Sequence, residues 1–189
     1  MELNNLNNLR IQLSVEAKNG IDFTISATII WAVIAFIWQL EYSSYNRSVL
    51  VFIAGGHMLP LAFLFSKILK TKWKIPNNPL DPLGLWFNFA QLFYFPFLIF
   101  VLIKMPDYFI MVYAIITGAH FFPYAWYYKT NWYAIFAGII SLGSLFLGLF
   151  LKPDNLFLIG IFTSVSLAIL SFGLYSDFNF KLKKGTKYS

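Results

Sequence analysis

The sequence contains no cysteine, and only 12% of its 189 residues are charged. The first absence excludes disulfides, cysteine-ligated zinc, iron–sulfur clusters and thiol catalysis. The second sets the chain apart from soluble proteins, in which roughly 25% of residues are charged. A third absence is positional: no Asp, Glu, Lys or Arg lies inside the long apolar runs away from their ends. Ionisable groups at membrane depth mark ion paths, proton relays and voltage sensors, so their absence argues against an ion-coupled transporter or pump. Acidic residues are also few, 8 against 14 Lys and Arg, but the basic residues are sorted along the chain rather than gathered on one face, so the excess calls for no nucleic-acid partner.

What the chain has in abundance is apolar surface. Hydrophobic residues make up 59% and aromatic residues 21%, and the mean hydropathy is +0.66. A helix rises about 1.5 Å per residue and the hydrocarbon core is about 30 Å thick, so a span needs about 20 apolar residues. Six runs meet that length, near 21–40, 48–69, 82–103, 108–128, 132–151 and 156–175. Their connections are too short to hold another domain. The expected fold is therefore all-α, a single bundle of six transmembrane helices over 21–176, in the lipid bilayer of the inner membrane.

Orientation follows from Lys and Arg, which accumulate in cytoplasmic loops. Arg10, Lys18, Lys67, Lys70, Lys72, Lys74, Lys129, Lys181, Lys183, Lys184 and Lys187 fall on the side of the termini, and only Arg47, Lys104 and Lys152 on the other. Eleven against three places both ends in the cytoplasm. Trp38, Tyr42, Tyr45 and Tyr108 on the outer side, and Trp73, Trp126, Tyr127, Tyr128, Trp132 and Tyr133 on the inner, match the aromatic belts of a bilayer.

Segment 1–20 lacks the layout of a cleavable signal. Leu3, Leu6, Leu9, Leu13 and Ala17 recur at helical spacing with polar residues between, which predicts a short amphipathic helix on the cytoplasmic surface; the alternative is a partly disordered polar leader. Segment 177–189 reads as a mobile basic tail that favours anionic lipid. In the loop after the second span, Asp81 is placed to cap the third helix, with Pro82 at its first turn. Asn78 and Asp81 could instead form a cytoplasmic contact.

The most specific feature is a repeat. The second span reads Gly55-Gly56-His57-Met58-Leu59-Pro60-Leu61-Ala62-Phe63 and the fourth Gly118-Ala119-His120-Phe121-Phe122-Pro123-Tyr124-Ala125-Trp126. These spans run in the same direction, so the only two histidines lie at similar depth. Proline lacks an N–H and displaces the carbonyl four residues earlier, here that of Gly56 or Ala119. Gly55, Gly56 and Gly118 add room for close approach. Each motif is thus expected to be a kink with a freed acceptor and an imidazole beside it, facing the bundle interior. Asn88 and Gln91 share a face of the third span, and Thr117, His120 and Tyr124 share one of the fourth.

Three roles suit this set. The histidines can hydrogen-bond separate helices, line a cavity for a small solute or lipid headgroup, or hold a metal or haem. Two imidazoles with no carboxylate or thiolate make a poor zinc site, and neither a metal nor another cofactor is expected. No catalytic group emerges, since a serine nucleophile would need a base and an orienting partner. The leading expectation is a membrane protein that binds or passes a small solute or lipid headgroup at the paired kinks. The alternative is a structural or accessory subunit of a larger membrane complex or homo-oligomer. That alternative accounts for the small residues spaced four apart: Thr24, Thr28 and Ala32; Ser144 and Gly148; Gly160, Ser164 and Ala168.

The stretch from Ala119 to Trp126, with the turn Asn78-Pro79-Leu80 and the start of the first span over 20–31, resembles an uncharacterised family of small bacterial membrane proteins, a domain of unknown function. The resemblance covers about 20–133. It implies six helices in a bacterial membrane and transfers no catalytic role.

Overall fold

Helix is what six long apolar runs can form without leaving backbone groups unpaired, and it is what they form. The computed structural model describes residues 3–185, and among these there are helices and no strand. Nine α-helices follow in order: α1 (Leu3–Glu16), α2 (Ile21–Ile37), α3 (Ser44–Gly56), α4 (Met58–Leu69), α5 (Asp81–Leu92), α6 (Phe95–Lys104), α7 (Phe109–Tyr127), α8 (Trp132–Phe150) and α9 (Phe157–Gly185). Six helical segments are long and apolar enough to cross a membrane: Lys18–Ile37, Ser44–Leu69, Asp81–Lys104, Pro106–Tyr127, Trp132–Phe150 and Pro153–Lys184.

Two of the six are broken, and proline is the cause in both. Pro60 frees the Gly56 carbonyl at the α3–α4 junction. Pro96 acts in the same way on Leu92, where Phe93 and Tyr94 turn their N–H groups to Ala90 and Gln91 and so separate α5 from α6. Pro123 has no such effect, because α7 runs through it unbroken.

The centre is built by α2, α7, α8 and α9. Small residues set their spacing. At Gly160 an added Cβ would lie 2.8 Å from the Ala35 Cα, and at Gly118 it would lie 2.6 Å from the Ser141 hydroxyl. Ser164 donates to the Thr28 carbonyl (2.9 Å) and Ser171 to the Thr24 hydroxyl (2.8 Å), closing an α2–α9 seam; the four-residue spacing predicts close approach but not that these two helices pair. Trp31, Ile34, Phe109, Ile110, Ile140, Leu167 and Leu170 fill the interior.

The outer surface is apolar as well. Phe93 is 83% and Phe150 80% exposed, with Phe36, Ile68, Trp86, Phe122 and Phe172 among many others. Exposed apolar patches on soluble monomers rarely exceed a few hundred Å². A chain this greasy on the outside is suited to lipid.

The segment before the first span is helical and docked. Leu13 and Ser14 of α1 are fully buried, Arg10 donates to the Trp126 carbonyl (2.6 Å), and Asn78 donates to the Leu9 carbonyl (2.8 Å). Glu16 meets Lys72 at 2.8 Å; that ammonium, with the Gln12 amide, holds the carboxyl below the usual carboxylate range. The mobile tail expected after Asp177 is replaced, as far as Gly185, by the last two turns of α9, with Phe178 buried; 186–189 lie outside the described residues. Asp81 does not cap α5, whose N-cap is Leu80. Its carboxylate accepts instead from the Ile75 N–H (3.0 Å), tying the loop to the helix start.

Gly160→Val should lower the thermal midpoint in detergent, since filling a backbone contact costs about 1–3 kcal/mol. Gly56→Ala, whose Cβ would meet nothing within 4 Å, should leave it unchanged or slightly higher.

Candidate functional site

The two histidine motifs are alike in sequence and different in structure. At His57, between α3 and α4, the backbone N–H reaches back to the Ala54 carbonyl (3.1 Å). The Ile53 carbonyl thereby loses its ordinary partner, and His57 Nδ1 takes that place at 2.9 Å. A carbonyl can only accept, so Nδ1 carries the hydrogen, and in the neutral ring Nε2 is then an acceptor. The kink repairs itself locally. His57 is exposed, as are Gly56 and Pro60, so the expectation that this imidazole faces the interior is corrected. Of the motif, Ala62 is buried and Gly55 lies against the Tyr113 hydroxyl.

His120 is half-buried on α7. Its ring meets Tyr124 edge-on at 5.3 Å and lies 6.0 Å from Phe121. The Tyr124 hydroxyl is within donating distance of Asn88 Oδ1 (3.1 Å) and the Gly84 carbonyl (3.3 Å), which also accepts from Asn88 Nδ2 at 3.1 Å. Glycine at position 84 lets α5 come close enough, because an added Cβ would lie 2.9 Å from the Tyr127 hydroxyl. Thr117 is buried and donates to Tyr113 within its own helix (2.9 Å). Gln91 lies half-buried further along α5. The structure thus joins Asn88 to Tyr124, sets His120 beside them, and puts His57 elsewhere; no hydrogen bond or ring contact links the two histidines. Among the described residues no three His, Asp or Glu side chains gather where a metal could be held.

A second polar cluster escaped the sequence reading. Lys18, Asn19 and Gly20 all have positive φ (47°, 56° and 70°), and this turn leads the chain from α1 into α2. Asn19 tolerates that region better than most residues, and its side chain and carbonyl are all paired. Nδ2 donates to the Leu174 carbonyl (3.0 Å) and Asp177 Oδ2 (2.9 Å), Oδ1 accepts from Ser14 (2.5 Å), and its carbonyl accepts from the Tyr133 hydroxyl (2.7 Å). Lys181 completes the node, paired with Asp177 at 2.6 Å and donating to Ser14 (2.9 Å) and the Tyr128 carbonyl (2.8 Å). Nearby, the buried Asp22 carboxylate accepts from Trp73 Nε1 (2.6 Å) and the Thr71 hydroxyl (2.8 Å), fastening the loop after α4. The signal for Asp177 and Lys181 was their i,i+4 spacing in the register of Leu174 and Phe178. Asp22 was passed over as a helix end.

These features define an all-helical bundle with an apolar exterior and polar knots at one end. The chain belongs to DUF7010, a family of unknown function, whose model matches residues 6–177. The match is wider than the resemblance over 20–133, taking in most of α1 and reaching Asp177. No curated protein and no solved structure matches the chain.

Asp177→Asn and Lys181→Met should each lower the thermal midpoint. The double variant should lose less than the sum of the two, with a coupling of about 0.5–3 kcal/mol. Additive losses in a double-mutant cycle would remove the pair from the node.

Proposed function

We propose that the chain is a multi-pass protein of the bacterial inner membrane, with six spans and both termini in the cytoplasm, acting as an accessory subunit that packs against another membrane protein. The apolar exterior supports the placement in lipid, and so does the sorting of eleven of the fourteen basic residues to the end that carries the termini. Because the sequence has no cysteine, single cysteines test the topology without background. An impermeant thiol reagent applied to intact cells should label Tyr42→Cys and Asp154→Cys and spare Asn77→Cys; the reverse pattern would invert the orientation.

One observation carries the accessory role. His57 sits midway along Ser44–Leu69 on an exposed face, its Nδ1 bonded within the helix and its Nε2 left as an acceptor. A polar group facing hydrocarbon is costly unless a partner supplies a hydrogen bond. The surrounding face of the same segment is poorly covered by the chain itself: Ile53, Leu59, Leu64 and Ile68 are all exposed. A transmembrane helix with a donor at mid-depth fits there. A photo-crosslinking residue at Leu59 or Leu64 should capture a protein in native membranes, and one at Phe172 should not; lipid adducts alone at all three would sink the reading. His57→Leu should weaken the capture.

The second reading is a small solute or lipid headgroup at the other kink. It is favoured by the group of buried Tyr124 with half-buried His120 and Asn88 between α5 and α7. It requires ligand-dependent thermal stabilisation that disappears in His120→Ala and persists in His57→Ala.

A further inference from the structure

The basic side chains gathered at the end that carries the termini divide into those the protein uses and those it leaves free. Arg10 and Lys18 donate to the Trp126 and Leu69 carbonyls (2.6 and 2.7 Å), and Lys72 and Lys181 are paired with Glu16 and Asp177. Lys67, Lys70 and Lys74 are exposed and form no ion pair with any described carboxylate. Lys67 stands in the last turn of α4, Lys70 ends that helix in the left-handed region (φ 55°), and Lys74 lies in the loop beyond. The carboxylates that touch this loop are already engaged, Glu16 by Lys72, Asp22 by Thr71 and Trp73, and Asp81 by the Ile75 N–H. Three positive charges thus remain unanswered among the described residues.

The loop that presents them is anchored at alternate residues. The Thr71 hydroxyl and Trp73 Nε1 both donate to Asp22 Oδ2 (2.8 and 2.6 Å), and between them the Lys72 N–H donates to the Glu16 carbonyl (3.2 Å). The Trp73 ring stacks on Phe23 at 5.0 Å and meets Phe63 edge-on at 5.8 Å, while the Lys67 ammonium lies 4.9 Å from the centre of the Phe63 ring. Lysines occupy positions 70, 72 and 74, alternating with the two anchored side chains, and all three are exposed. A loop ordered in advance spares its partner the cost of ordering it. These lysines also border an apolar face. Phe63 and Ile68 are exposed beside Lys67 on α4, at the end of the segment Ser44–Leu69. Trp73 is part exposed with its N–H already bonded, the amphipathic arrangement that aromatic residues adopt where acyl chains give way to headgroups.

We propose that Lys67, Lys70 and Lys74, held in place by the Asp22 anchor, form a contact surface for the headgroups of anionic phospholipid, of the phosphatidylglycerol class. Three unpaired cations beside an exposed apolar helix face match a leaflet whose headgroups carry phosphate and no compensating ammonium. Lysine is a compact, strongly hydrated point charge on a flexible stem, suited to a layer of mobile phosphates rather than to one fixed anion, and each lysine near such a surface adds to the attraction. Orientation in a bilayer depends on how many basic residues lie on each side; it needs no anchored loop. Asp22 is here a positioning residue, acting through Thr71 and Trp73. Lys129 and Lys184 are exposed at the same end but lie outside this loop.

This inference rests on the membrane placement proposed above and on neither of the roles proposed with it. The test is the thermal midpoint of the purified full-length chain in detergent, titrated separately with phosphatidylglycerol, phosphatidylcholine, glycerol 3-phosphate and polyglutamate. Phosphatidylglycerol should raise the midpoint and phosphatidylcholine should not. Lys70→Gln combined with Lys74→Gln should raise the phosphatidylglycerol concentration needed by about 25-fold, roughly fivefold for each lysine. Lys129→Gln combined with Lys184→Gln removes as much charge from the same end and should change it little. Thr71→Val combined with Trp73→Phe removes both bonds to Asp22 and no charge, and should weaken the response. An equal response to the two lipids, an equal loss in the two lysine pairs, or an unchanged response without the anchor would overturn the proposal. A full effect of glycerol 3-phosphate would overturn it in favour of a soluble phosphate, and one of polyglutamate in favour of an acidic protein segment. Release of the chain from membranes by alkaline carbonate would instead defeat the membrane placement, whereas a chain that stays embedded and ignores headgroups defeats only this surface.

Discussion

Asn19 is the residue on which the packing of the terminal end turns. Three successive positive φ values bring the chain out of α1 and into α2, a conformation with a cost of roughly 1–2 kcal/mol for each side chain that is not glycine. The four hydrogen bonds of Asn19 offset it, joining α1 through Ser14, α8 through Tyr133, and α9 through Leu174 and Asp177. With those contacts made, α9 is placed against α2, and the small residues further along take over: Ser171 on Thr24, Ser164 on Thr28, Gly160 on Ala35. Close contacts and hydrogen bonds of this kind are what hold helices together where their surroundings are as apolar as their own side chains.

The contrast between the two histidine motifs shows how far a local pattern reaches. Pro60 and Pro123 remove the same N–H, yet one divides a span and the other sits inside a continuous helix. The difference lies in what surrounds them. Around Pro123, α7 is gripped by α8 at Gly118 and by α5 through Tyr124 and Tyr127, so the helix axis is held from both sides. Around Pro60, His57, Leu59 and Pro60 itself are exposed, and the first buried side chain of α4 is Ala62. Once the break occurs, a free carbonyl at Ile53 and an imidazole within reach of it decide where His57 points.

The long-wavelength features of the fold were therefore legible in the sequence and the rotational ones were not. Six apolar runs and the small-residue spacing of the close-packing helices depend only on residue type and spacing along one axis. The direction of a side chain around a helix shifts by about 100° per residue, so a single break, or a boundary misplaced by two residues, turns a predicted interior group outward. That is why Asn88 and Tyr124, on opposite sides of an uninterrupted contact, meet as their shared faces suggest, while His57 does not reach His120. Asp22, Asp177 and Lys181 were missed for another reason. A charge at the end of an apolar run reads as solvated, whereas here the docked α1 and the loop holding Trp73 cover that end and turn its charges into internal ties.

The two ends of the bundle consequently differ in kind. At the terminal end the charged groups of the node are spent on the protein: Lys181 on Asp177, Ser14 and Tyr128, and Asp22 on Thr71 and Trp73. Four buried polar atoms lack a partner among the described residues. Two are the hydroxyls of Thr130 and Ser144, on separate helical or loop positions. The other two are the N–H groups of Trp38 and Arg47, at the remote end. Hydroxyls can rotate to find an acceptor, but an indole N–H and a guanidinium Nε–H are fixed by their rings and planes. The remote end thus keeps two buried donors of fixed direction unpaired, whereas the charged groups of the terminal node are answered within the chain.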